Sequence, residues 1–420
     1  MNILYISYFY PPLGGPAALR NVKTVKYLSE LGCKIDVLTV QEIEYNYLDD
    51  SLQSEAKERS IIRTASYDPM ALMKKLLGKR PAASKTLYKN TPERLKLLIR
   101  RLYPLDDKIG WLPPLIAAGN KALNKGNYDL IYVSCGPFSS AIAARWLGKR
   151  HKLPYAVEMR DYWTLLSDYN LQGTTLQHKF ARHWEKRILC DAKWVITATQ
   201  GIGRDLAAAF GNELSDKMLT MYNGHDEEDY TDLQPQSMPK SGFVLSYFGA
   251  LYARRSLKCF YAAIKELAEA KLLPHNTQIR LFGNYNLEAQ QEVEQSGIKD
   301  MISMIASLNH KEALQQMAAS DALILVINSS SPYGTLTSKV FEYLRLGKPI
   351  LAMVPSMGEA AELLSESGQD YICAMESVSS IKACLLRLID ARPTATAFRY
   401  VTAKYSRKAQ VEALYHFLKA

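Results

Sequence analysis

No stretch of this 420-residue chain approaches the ~20 consecutive apolar residues that a membrane-spanning helix needs. The opening Met1-Asn-Ile-Leu-Tyr-Ile-Ser-Tyr-Phe-Tyr10 has no basic n-region and no small-residue cleavage site, which argues against a secretory signal and for a buried first strand. Cysteine is sparse: Cys33, Cys135, Cys190, Cys259, Cys373 and Cys384 are scattered, and no two stand at metal-ligand spacing. Buried reduced thiols in a reducing compartment are the expectation. The location expected is the cytosol, or the inner face of a membrane. No metal constellation and no recognised nucleic-acid motif is visible, so neither a metal nor a nucleic-acid partner is expected.

What is present is enough apolar mass, 48% of residues, for sizeable cores, and a length that suits two domains better than one. The formal charge of +10 is uneven. Between Lys74 and Arg101 stand ten Lys or Arg against one acid, Glu93, with Tyr88 as the lone aromatic. Thin aromatic interleaving favours anionic lipid headgroups or a lipid-phosphate substrate over nucleic acid, and a merely solvated helical face fits as well. Peripheral membrane contact through residues 74–101 is one expectation.

Short apolar runs alternate with helical patterns, as in a parallel sheet covered on both faces. Strands are expected at Ile3–Phe9, Lys34–Val40, Asp129–Ser134, Tyr155–Glu158, Trp194–Ala198 and Met218–Met221, with an irregular basic insertion over roughly 45–110. Asp229–Ser241, with two prolines and no periodicity, reads as a linker. A second alternation runs from Val244–Phe248 to Pro349–Val354. The division expected is a first domain over 1–228, a linker over 229–241, a second domain over 242–395, and a C-terminal helix in 396–420 packing back on the first. Both would be α/β, doubly wound domains facing across a cleft.

Thr335-Leu-Thr-Ser-Lys-Val-Phe-Glu-Tyr-Leu-Arg-Leu-Gly-Lys-Pro-Ile-Leu-Ala-Met-Val354 reads as a loop, a short helix, a turn and a buried strand. Hydroxyls at Thr335–Ser338 are suited to cap the helix, whose free N–H groups and dipole favour an anion. Glu342, one turn on, would repel phosphate but accept hydrogen bonds from a neutral diol such as ribose. An anion cradle with a diol acceptor describes a nucleotide-diphosphate site; an ordinary capped helix with a solvated Glu342 is the rival.

Lys339, Phe341, Glu342, Tyr343, Gly347, Lys348, Pro349 and Ile350 resemble the donor-binding signature of family 4 glycosyltransferases. Pro11-Pro-Leu-Gly-Gly-Pro-Ala-Ala-Leu-Arg20 is similar to the opening loop of the same branch, which implies that Gly14 and Gly15 face the donor phosphates and Arg20 the cleft on the acceptor side. In Phe248-Gly-Ala-Leu-Tyr-Ala-Arg-Arg-Ser256, Gly249 and Leu251 match the family loop and Arg255 takes the place of its Lys. Ala250 replaces an Arg, and Arg254 is a candidate for the missing charge. Paired guanidiniums at a strand's carboxyl end suit a departing diphosphate. Arg160-Asp-Tyr-Trp-Thr164 resembles an element near the acceptor, with a structural Arg–Asp pair as the rival. Asn223-Gly-His-Asp226 is similar to the turn that closes the first domain.

Two departures stand out. Gly334 occupies the position of the first of two glutamates eight apart, and Ser134-Cys-Gly-Pro-Phe-Ser139 lacks a histidine often found there. The resemblance implies a GT-B fold and a retaining, metal-independent glycosyltransferase without cofactor. Catalytic candidates are Arg254, Arg255 and Asp161. Donor-site candidates are Gly14, Gly15, Gly249, Thr337, Ser338, Lys339 and Glu342, and acceptor-side candidates are Arg20 and Arg160. Its substrates would be a nucleotide-diphosphate sugar and a saccharide or lipid-linked acceptor. A nucleotide-sugar 2-epimerase of the same fold, or a non-catalytic nucleotide-sugar or nucleic-acid binding protein, are the alternatives.

Overall fold

The computed structural model describes residues 1–41, 48–68, 103, 105–166, 174–231, 233, 242–251, 256–391 and 403–420. The chain forms two compact units, Met1–Tyr222 with Arg407–Ala420, and Asn223–Ser406.

In the first unit, strands β1 (Asn2–Ile6), β2 (Lys34–Val40), β3 (Ser60–Thr64), β4 (Leu130–Ser134), β5 (Tyr155–Met159), β6 (Trp194–Thr197) and β7 (Met218–Thr220) form a parallel sheet ordered β3-β2-β1-β4-β5-β6-β7. Every residue of β4 and β5 is buried, as expected of central strands in a sheet covered on both faces, Glu158 of β5 included. The connecting helices are α1 (Pro16–Glu30), α2 (Leu112–Lys125), α3 (Ser139–His151), α4 (Thr175–Asp191) and α5 (Gln200–Phe210). Local chemistry sets where they begin. Pro16 occupies the first turn of α1, Thr174 and Gln177 form a reciprocal capping box on α4, and Thr199 Oγ1 accepts from Ile202 N at 3.2 Å to cap α5.

The second unit repeats the plan. Strands β8 (Phe243–Phe248), β9 (Thr277–Phe282), β10 (Ile302–Ile305), β11 (Ala322–Val326), β12 (Ile350–Met353) and β13 (Ile372–Cys373) run parallel in the order β10-β9-β8-β11-β12-β13. Helices α6 (Lys258–Glu269), α7 (Leu287–Glu294), α8 (His310–Ala319), α9 (Lys339–Leu346), α10 (Glu359–Glu366) and α11 (Val378–Ala391) connect them. The last helix, α12 (Arg407–Lys419), belongs to the first unit, where Val411, Leu414 and Leu418 share a core with Ala18, Val22 and Val25 of α1.

The strand order reverses between β1 and β4 in one sheet and between β8 and β11 in the other. Loops leaving the carboxyl ends of strands at such points are where open α/β sheets bind ligands. The Gly14–Gly15 loop follows β1, and Gly249 follows β8.

The structure bears on several expectations. The irregular insertion contains β3, an edge strand paired to β2 from Asp36↔Ser60 to Val40↔Thr64. A five-residue strand with Ser60 and Arg63 exposed shows too little apolar content to stand out. Asn223-Gly-His-Asp226 lies in the second unit, where Asp226 Oδ1 caps a 3-10 turn over Glu227–Tyr230; the linker's first residues, Asp229 and Tyr230, belong to that turn. Cys190 is exposed and Cys259 half-buried, whereas the other four cysteines are buried. The basic 74–101 segment lies outside the described residues. Among the described residues, no helix is long and apolar enough to cross a membrane.

Candidate functional site

Within the second unit, the loop after β11 delivers Thr337 and Ser338 to the start of α9. Ser338 makes no capping hydrogen bond, contrary to expectation. Thr337 Oγ1 instead accepts from Lys339 N at 3.2 Å, and the Val340 N–H reaches Thr337 O at 3.3 Å. Thr337 rather than Ser338 thus supplies the side-chain oxygen at the first turn of α9, which carries the partial positive charge of a helix N-terminus.

The β8 turn lies beside it. Gly249 has φ 150°, and a β-carbon built there would sit 3.6 Å from Lys339 Nζ, so the ammonium reaches this turn. The next loop crowds in as well: a β-carbon at Gly283 would lie 2.1 Å from Gly249 O, which leaves room for glycine alone. Gly249, Thr337, Ser338 and Lys339 are therefore brought together. Arg254 and Arg255 lie outside the described residues.

Glu342 is not a solvated side chain. It is 8% exposed, and its Oε1 lies 3.0 Å from His310 Nε2 at the start of α8. His310 Nδ1 in turn lies 3.7 Å from Asp229 Oδ2. One turn further along α9, Arg345 binds Glu227 through Nε at 2.9 Å and Nη2 at 2.7 Å, and its guanidinium stands 4.8 Å from the Tyr230 ring centroid. The donor-signature helix is thus fastened to residues 227–230. Gly334 is buried.

In the first unit the candidates separate. Arg20, expected on the acceptor side, is buried at 3% exposure; its Nε donates to Glu158 at 2.7 Å and its Nη2 to Met221 O at 2.6 Å. Burial next to a fully enclosed carboxylate makes it part of the sheet's interior. Arg160 bonds carbonyls rather than Asp161: its Nε donates to Cys135 O at 2.6 Å and its Nη2 to Gly136 O at 3.3 Å. Gly136 has φ 102°, and a β-carbon there would meet Arg160 Nη2 at 2.4 Å, so this staple needs glycine. Tyr162, Trp163 and Thr164 are buried, and Trp163 stacks on Phe138 at 5.0 Å. Asp161 is the exposed member of the element. Gly14 is buried and Gly15, with φ 91°, opens α1 through its carbonyl, which accepts from Leu19 N at 3.0 Å.

Two carboxyls, half-buried Asp106 and buried Glu185, flank this end of the sheet. Asp106 accepts from Ser139 N at 2.7 Å and Oγ at 2.9 Å at the start of α3, and burial pushes it up to about 6. Glu185 on α4 accepts from Thr164 N at 3.2 Å and from its hydroxyl, and burial pushes it up to about 7.

Residues 23–224 match the glycosyl transferase 4-like domain, and residues 231–405 match the glycosyl transferases group 1 domain. The chain belongs to the GT-B glycosyltransferases. No curated protein matches it by sequence. Among solved structures, it is similar to HepE of Anabaena in complex with UDP and glucose, at 16% identity and TM-score 0.68, over 100% of this chain and 99% of that one. A glycosyltransferase from Rickettsia africae gives 12% identity and TM-score 0.66 over 100% and 98%. A putative UDP-N-acetylglucosamine 2-epimerase from Listeria monocytogenes gives 11% and 0.60 over 100% and 97%. These likenesses share the fold.

In this glycosyltransferase, the α9 N-terminus with Lys339 can hold an anion, and Glu342 can accept hydrogen bonds from a neutral group. Sequence reasoning missed His310 and placed Asp229 in a linker. The Asn309-x-x-Glu312 box marked the start of α8, but a single histidine at a helix start carries no chemical signature by itself.

Proposed function

We propose that this glycosyltransferase is a retaining enzyme that moves a sugar from a nucleoside diphosphate sugar to a saccharide or lipid-linked saccharide in cell-surface polysaccharide synthesis. The observation that carries this is the neighbourhood of Gly249, Lys339 and the start of α9, with buried Glu342 one turn on. Phosphates would lie against the helix N-terminus and Lys339, and the ribose hydroxyls against Glu342. UDP is the first nucleotide to test, since similar folds have been solved with it.

Charge on the diphosphate grows as the glycosidic bond breaks, and groups that bind it more tightly in the transition state accelerate the step. Arg254, Arg255 and Lys339 are assigned that role. The leaving phosphate oxygen can then take the acceptor's proton, and exposed Asp161 is assigned to the acceptor side. Peripheral membrane contact through 74–101 belongs to the lipid-linked version of this proposal.

Incubation with a panel of UDP-sugars and acceptors, followed by UDP release and product NMR, tests it. Acceptor-dependent UDP release with retained anomeric configuration, undiminished by a chelator, is the expected outcome. Interconversion of the donor sugar without an acceptor would indicate an epimerase, and binding without turnover a non-catalytic protein.

A further inference from the structure

We propose that His310 is a positioning residue for the donor site: its imidazole fixes the Glu342 carboxylate in the orientation that receives the ribose hydroxyls. This rests on the nucleotide reading given above and adds the side chain that makes Glu342 competent for it.

A carboxylate buried to 8% exposure needs hydrogen-bond donors, or it takes up a proton or swings to solvent. His310 Nε2 stands 3.0 Å from Glu342 Oε1. An ionised carboxylate can only accept, so Nε2 carries the hydrogen. Fixing Oε1 fixes the plane of the carboxylate and with it the direction of the second oxygen.

The imidazole is itself well anchored. His310 is the first residue of α8, and that helix start is held by a reciprocal box: Asn309 Oδ1 accepts from Glu312 N at 2.9 Å, and Glu312 Oε2 accepts from Asn309 N at 3.4 Å. On the far side of the ring, Nδ1 faces Asp229 Oδ2 at 3.7 Å. The ring thus stands between two carboxylates from different elements, with its backbone pinned. That geometry suits orientation rather than proton transfer to a substrate.

The test compares the full-length protein's affinity for UDP with its affinity for 2′,3′-dideoxyuridine diphosphate, which lacks both ribose hydroxyls. Calorimetry on wild type should show a preference for UDP of about tenfold or more, as for a charge-assisted hydrogen bond. His310→Leu should erase most of that preference while leaving dideoxy affinity within about twofold, since the phosphate contacts are untouched. His310→Gln, whose amide N–H lies at the reach of Nε2, should keep it. If His310→Leu does not fold by circular dichroism, His310→Asn, too short to reach Glu342, replaces it.

A Leu or Asn variant with the wild-type preference, or a Gln variant as poor as Leu, overturns the assignment. Glu342→Gln separates the two levels. If it loses the preference and His310→Leu does not, only the role of His310 is wrong. If Glu342→Gln keeps the preference, the ribose assignment fails and this inference fails with it.

Discussion

Glu158 at the end of β5 and Glu342 in α9 are both buried carboxylates beside a nitrogen base, one in each unit, yet their surroundings differ in kind. Glu158 is fully enclosed, and its partner Arg20 is 3% exposed and spends a second N–H on a backbone carbonyl. Glu342 is 8% exposed, and its partner His310 is 25% exposed. Arginine keeps its charge at any pH, whereas an imidazole can give one N–H without carrying a charge. The first arrangement closes a structure; the second leaves a polar site open to a ligand. Substitutions should therefore register as stability in the first unit and as affinity in the second.

The largest effect should come from Arg20→Met. Removing one partner of a buried pair leaves Glu158 uncompensated, at a cost of about 3–5 kcal/mol. Urea unfolding should show an early transition for the first unit. The Arg20→Met/Glu158→Leu double variant should recover most of the loss, because an apolar pair of similar volume can replace a buried ion pair. If Arg20→Met unfolds like wild type and instead weakens acceptor binding, the contrast between the units is wrong.

Glu185 sharpens the same point through pH. Its carboxyl is raised from the ordinary 4.5 to about 7 by burial, so the folded state holds the proton more tightly than the unfolded chain. The stability this supplies is complete below the unfolded pKa and is lost as pH rises through the folded one. Between those limits the change amounts to about 3 kcal/mol for a shift of this size. Glu185→Gln keeps an acceptor for Thr164 and should flatten the stability profile across pH 4.5 to 7. An unchanged slope would remove Glu185 from the pH response.

Glu342→Gln belongs to the other side of the comparison. It should leave the unfolding midpoint nearly unchanged and weaken UDP by roughly 1.5–3 kcal/mol, as for a lost hydrogen bond to a charged group. Wild-type affinity in a folded Glu342→Gln protein would argue that this carboxylate, like Glu158, serves the interior alone.

Legibility in the sequence followed the same division. The doubly wound plan was readable because parallel strands buried on both faces appear as short apolar runs, and β2 and β4 lie where those runs do. Edge strand β3 was missed, because exposed Ser60 and Arg63 dilute its apolar signal. In the second unit, Glu342 and Lys339 were legible because a motif places both on one short helix. Glu342 meets His310 from 32 positions away, and His310 in turn faces Asp229 from another element, a meeting that no local pattern encodes. The burial of Arg20 was hidden for a related reason. A helix-start arginine looks the same in sequence whether it faces solvent or Glu158, 138 positions on.

The smallest effect concerns Ser338, and it separates capping from ligand binding on a single hydroxyl. A serine that caps a helix loses about 1 kcal/mol on replacement by alanine. Ser338 makes no such bond, whereas Asn309 caps α8 within a reciprocal box. Asn309→Ala should therefore lower stability by about 1 kcal/mol, and Ser338→Ala should leave it unchanged within about 0.3 kcal/mol. If the first turn of α9 receives a phosphate, the same Ser338→Ala protein should bind UDP about three- to tenfold more weakly, the value of one modest hydrogen bond. Thermal melts and calorimetry on one preparation give both numbers. Lost stability with intact affinity would restore the ordinary capped helix and remove Ser338 from the phosphate site.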